Sequence, residues 1–105
     1  MTIERPIFAE IADLLDGGAD KRSLEELEET LTTGYATALQ IEGERLRLER
    51  RIKQVASLVG DGVERAKPQE LANLARRLDS ADAELSRLRA MLGSLREQAA
   101  AARAA

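Results

Sequence analysis

From Leu24 to Val59, and again from Leu71 to Ala102, apolar residues recur at alternating steps of three and four. That spacing gives a helix one narrow apolar seam to bury against another helix. Taking Leu24 as heptad position a, the first run has Leu24, Leu31, Ala38, Arg45, Ile52 and Val59 at a, and Leu27, Gly34, Ile41, Leu48 and Val55 at d. In the second run the a series is Leu71, Leu78, Leu85, Leu92 and Ala99, and the d series is Leu74, Ala81, Leu88, Leu95 and Ala102. Between them lie only residues 60 to 67, enough to turn the chain back. The pattern therefore predicts an all-α fold, an antiparallel coiled-coil helical hairpin.

Local signals set the boundaries of these elements. Ser23-Leu24-Glu25-Glu26 is a capping box, in which Ser23 and Glu26 can satisfy each other's free backbone N–H groups, so a long helix is expected over about 24–59. Gly60-Asp61-Gly62 ends it, and Pro68 suits the first turn of the next helix, expected over about 68–102. Upstream, Pro6 can open a short helix in which Ile7, Phe8, Ile11, Leu14 and Leu15 share one face, and Asp16-Gly17-Gly18 closes it, giving about 6–15. Residues 1–105 are expected to form a single helical domain.

A turn centred near Val63 pairs residues whose numbers add to about 126. Val55 then faces Leu71, Leu48 faces Leu78, Arg45 faces Ala81, Ile41 faces Leu85, Ala38 faces Leu88 and Gly34 faces Leu92. Small or long residues of one helix meet residues of complementary size on the other, which supports this register. At the e positions, Glu28, Glu42 and Glu49 lie within a heptad of Arg89, Arg96 and Arg103. At the g positions, Glu44 falls near Glu84 and Arg51 near Arg77, so like charges meet there and another chain is one candidate to cover that flank.

Tyr35, Leu39 and Leu46 form a second apolar stripe on the long helix, with Met91 nearby at a g position. Either the short helix folds back over the Tyr35 and Leu39 end, or two hairpins associate into a dimeric four-helix bundle. This stripe is the candidate partner-binding surface.

Composition narrows the chemistry. The chain of 105 residues has no cysteine and no histidine, and Phe8 and Tyr35 are its two aromatics. Thiolate metal sites, disulfides and histidine-based catalysis are excluded, and no Ser or Thr has an imidazole to activate it. The helical di-metal pattern needs a histidine three residues after a glutamate, and there is no glycine-rich phosphate loop, so neither cofactor nor metal nor enzymatic activity is expected. The first residues lack the apolar core of a secretory signal, and no window approaches the ~18 apolar residues of a membrane span. A cytoplasmic location, away from membranes, is the expectation.

The net charge of −3 hides a gradient. Residues 1–44 hold eleven acidic and three basic side chains (−8), residues 45–77 four and nine (+5), and residues 78–105 four of each. Arg45, Arg47, Arg50, Arg51 and Lys53, with Arg65, Lys67, Arg76 and Arg77 across the turn, could attract an anion. The patch has no interleaved aromatics on which bases could stack, so an acidic protein surface, including the acidic end of another copy, suits it better than nucleic acid. Arg45 is the one charge on the seam. It is read either as a guanidinium for a partner's carboxylate or phosphate, or as a register-setting residue whose stem packs while its head reaches solvent. Gly34 and Gly93 inside the helices are read either as sites of close helix approach or as tolerated drift.

Asp82, Ser86, Arg89 and Glu97 have a spacing similar to the acid, Ser, Arg, Gln, acid pattern of coiled-coil anti-sigma factors that bind a cyclic dinucleotide. Gly93 stands where that pattern has glutamine, and each acid is the other homologue of the type expected. The resemblance covers sixteen residues and implies Ser86 and Arg89 as ligand contacts. With Arg45, Arg50 and Arg51 these are the candidate anion-binding residues. The leading expectation is a small coiled-coil protein–protein interaction module, regulatory or scaffolding, that self-associates as a dimer; the alternative is a coiled-coil regulator that senses an anionic nucleotide through arginines.

Overall fold

A computed structural model describes residues 4–17, 23–62 and 68–104. Among them are three helices and no strand: α1 (Pro6–Gly17), α2 (Leu24–Gly60) and α3 (Pro68–Ala104). The fold is an all-α helical hairpin of α2 and α3 with a short amino-terminal helix. The centre of the turn near Val63, and the linker residues 18–22, lie outside the described residues.

The start of α2 follows from its cap, where the Glu26 amide donates to Ser23 Oγ at 3.1 Å. Its end follows from Gly62, whose φ of 72° lies in the left-handed region open to glycine. The Gly62 amide donates to the Val59 carbonyl and the Asp61 amide to the Ser57 carbonyl, so two otherwise orphaned acceptors are satisfied.

By its own contacts the chain falls into two compact units, one of Met1–Leu39 with Ser86–Ala105 and the other of Gln40–Leu85. In the first, Leu27, Leu31 and Ala38 of α2 are buried with Leu88, Leu92, Leu95 and Ala99 of α3, every one at an a or d position. Gly34 sits directly against Leu92, the pairing expected from a register near 126. Further along, Arg103 Nη2 donates to Glu28 Oε1 at 2.8 Å across the e positions.

Helix α1 buries Ile7, Phe8, Ile11 and Leu14 in this same unit. Arg87 contacts Glu4 and lies 4.5 Å from the Phe8 ring centroid, while Gln98 Nε2 donates to the Leu15 carbonyl at 3.4 Å. Both offsets equal 83 residues, so α1 runs in the direction of α3, along its c and g side. Tyr35 and Leu39 stay exposed, so of the two arrangements considered, the one in which the short helix covers them is not adopted. The cause is charge. In this unit the g positions are Thr30, Thr37, Met91 and Gln98, all uncharged, whereas the e positions carry Glu28, Arg89, Arg96 and Arg103. An apolar helix docks where few charges must be desolvated. Thr37 can lie on this half-buried flank because its hydroxyl donates to the Thr33 carbonyl at 2.9 Å.

Among its described residues the second unit has two helical segments and no third. Ile41, Val55, Leu74, Ala81 and Leu85 are buried, but Leu48, Ile52, Leu71 and Leu78 are only half-buried, as expected when a seam has no neighbour on its sides. Its g positions include Glu44, Arg51, Glu70, Arg77 and Glu84. Arg51 Nη2 reaches Glu70 Oε1 at 2.8 Å, so Arg51 is paired with an opposite charge on this flank rather than set against Arg77.

Candidate interaction surface

Tyr35, Leu39 and Leu46 are 42%, 69% and 52% exposed, the three large apolar side chains that stand out as exposed among the described residues. Their place follows from the heptad. Around a coiled-coil helix the positions run a, e, b, f, c, g, d, so Leu39 and Leu46 at b and Tyr35 at e project away from the seam on one side. Met91, at g of α3, is half-buried on the flank where α1 docks and does not join them.

The arginines separate by their partners. Arg45, at a on the seam, has Nε 2.5 Å from Asp82 Oδ1 and Nη2 3.6 Å from Glu49 Oε1, and its side chain is 41% exposed. Its stem packs and its head reaches carboxylates at the surface. Arg51 is held by Glu70, and Arg76 by the side-chain oxygen of Asn73. Arg50 and Ser86 are exposed, and Arg89 has an interaction within the chain. Asp82, the first acid of the anti-sigma-like spacing, is engaged by Arg45. Within the basic run, Arg45 and Arg51 thus meet carboxylates of the same chain. Arg65 and Lys67, the turn residues of the expected patch, lie outside the described residues.

Sequence reasoning missed the cluster of Glu4, Phe8 and Arg87. Its signal was available: an arginine at c, next to an uncharged g flank, has both a carboxylate and a ring to meet if the short helix docks there. Such a cation over a ring contributes ~0.5–1 kcal/mol at an exposed site.

Among the described residues no group of acidic side chains is placed to hold a metal ion, and no helix is long and apolar enough to cross a membrane. What remains is a surface of exposed apolar groups on α2, bordered by charge. Comparison with protein-family models, curated proteins and solved structures returns no match to this chain.

Proposed function

We propose that this chain is a small helical protein–protein interaction module, regulatory or scaffolding in role and without catalytic activity of its own, that self-associates. The observation that carries the reading is the exposure of Tyr35, Leu39 and Leu46 on a helix whose buried apolar side chains all fall on the seam. Covering the exposed part of the two leucines against a partner would gain up to roughly 1.5–3 kcal/mol each, with a further apolar contribution from the tyrosine ring. A chain without cysteine needs no oxidising compartment, and a cytoplasmic setting belongs to this proposal.

The test is affinity capture with immobilised wild-type chain beside a Leu39→Ser, Leu46→Ser double variant, with a differently tagged copy of the chain among the offered proteins. Both substituted positions are exposed, so circular dichroism should show the same helix content in the two baits. The wild type is expected to retain at least one protein, its own copy included, that the double variant releases. Identical captured sets would remove the reading.

A further inference from the structure

We infer that the occupant of this surface is a second copy of the chain, with α2 packed antiparallel on α2 of its partner about a two-fold axis level with Ile41. This inference rests on the interaction-module reading and gives it a partner and a register.

Outside the core seam, α2 carries a second heptad series at positions b and f: Glu25, Glu29, Thr32, Ala36, Leu39, Gly43, Leu46, Arg50, Lys53 and Ser57. Its steps again alternate between three and four, the signature of a seam rather than of scattered surface residues. Its contents are ordered. Glutamates hold one end, an apolar and small-residue stretch from Ala36 to Leu46 the middle, and Arg50 and Lys53 the other end. A surface acidic at one end and basic at the other matches itself only when reversed, which is the requirement of an isologous two-fold contact.

In the antiparallel register whose facing numbers add to 82, Leu39 meets Gly43 of the partner subunit and Leu46 meets Ala36 of the partner subunit. Lys53 meets Glu29 of the partner subunit, and by symmetry each pairing occurs twice. Leucine against a small residue in successive layers repeats the logic of Leu92 against Gly34 inside the hairpin. A parallel arrangement would instead stack Glu29 on Glu29 and Lys53 on Lys53.

Gly43 supplies an independent reason. A mid-helix glycine is unfavourable relative to alanine, and a Cβ at Gly43 would meet only the flexible Arg47 guanidinium, at 3.6 Å. Nothing in its own subunit demands a glycine there. A facing leucine does. Glu42, beside it, already has an interaction within its own chain and is not needed at the contact.

Sedimentation equilibrium of the full chain should give a dimer, and Leu39→Asp should raise the dissociation constant about 100-fold or more, since two buried leucines are lost per dimer. Gly43→Leu should weaken association about 10-fold or more by overfilling the layer, while monomer helix content holds or rises. Lys53→Glu should cost about 3- to 10-fold, two ion pairs being lost at once, and adding Glu29→Lys to it should restore wild-type affinity. For the register, Thr32→Cys and Arg50→Cys chains are oxidised separately and mixed, because facing residues alone bring Cα atoms within about 7 Å. Disulfide-linked dimers are expected from the mixture and not from either variant alone. Self-crosslinking of Thr32→Cys would overturn the antiparallel arrangement, and loss of the charge-swap rescue would overturn the register. A mass of one chain at every concentration would overturn the second copy as occupant and self-association with it, while leucine-dependent capture of a different protein would still uphold the role as an interaction module.

Discussion

Substituting Gly34 and Gly93 by alanine should move stability in opposite directions, although both lie inside helices of one compact unit. Alanine in a helix interior gains about 1 kcal/mol over glycine through backbone propensity, and this term is common to both sites. At Gly93 a new Cβ meets only Arg96 Nη2, at 3.9 Å, so the gain is kept and Gly93→Ala should stabilise by ~0.5–1 kcal/mol. At Gly34 the new Cβ would overlap Leu92 Cδ2 and come within 3.4 Å of Cγ and 3.6 Å of Cδ1. Leu92 is 2% exposed, so it cannot swing into solvent and must shift within a packed layer. Overfilling of this kind costs about 1–3 kcal/mol, so Gly34→Ala should be a net loss of about 1 kcal/mol. The difference between the two variants cancels the propensity term and isolates the contact at about 2 kcal/mol, or roughly 10 °C in Tm for a chain of this size. Urea unfolding at one protein concentration measures it, with the slope m unchanged. Leu92→Val in the Gly34→Ala background should recover part of the loss, a coupling of at least ~1 kcal/mol in a double-mutant cycle. Equal stability of Gly34→Ala and Gly93→Ala would refute the close approach of α2 and α3 at that level.

Three further outcomes test other parts of the molecule. Phe8→Ala removes a ring that is 2% exposed under Arg87, and should cost about 3 kcal/mol and speed hydrogen exchange across α1, whereas Leu39→Ala, 69% exposed, should stay within ~0.5 kcal/mol in the monomer; equal effects would contradict the docking side of α1. Arg45→Leu should be neutral or stabilising by up to about 1 kcal/mol in thermal unfolding, because an apolar a residue replaces a half-exposed ion pair with Asp82; a loss above ~2 kcal/mol would assign the arginine a larger structural role. Cyclic dinucleotides at moderate salt should leave Tm unchanged, and a ligand-dependent rise abolished by Arg89→Ala would transfer the functional reading to nucleotide sensing.

How much of this was legible depends on which residues carried the signal. The seam was legible because burial against one helix imposes a strict period: every buried residue of α2 and α3 falls at an a or d position. The cap at Ser23 and the stop at Gly60 to Gly62 were legible because each is a local chemical device that needs no knowledge of the rest of the fold. The docking side of α1 was less legible, because it is set by where charges are absent rather than by where apolar groups lie. Tyr35 and Leu39 advertise an apolar surface, yet their flank carries Glu28, Arg89, Arg96 and Arg103, while Thr30, Thr37, Met91 and Gln98 look polar and are easily covered. Likewise Gly34 and Gly93 look alike as letters, and only the position of Leu92 separates them.

Internal packing and the proposed assembly share one physical cause, the placement of charge along the hairpin. A helical hairpin has two flanks and can cover only one with α1, whose four buried apolar residues have gone to the uncharged side. The surface left over must then be either polar enough for water or apolar enough to attract something else, and α2 has both qualities in sequence: glutamates, then Ala36 to Leu46, then Arg50 and Lys53. Charges at its ends oppose a parallel pairing of two copies, since like ends would meet, while the uncharged middle supplies the burial that exposed ion pairs cannot. Charge therefore decides orientation and apolar area decides strength, the same division of roles that set α1 on its side of the hairpin.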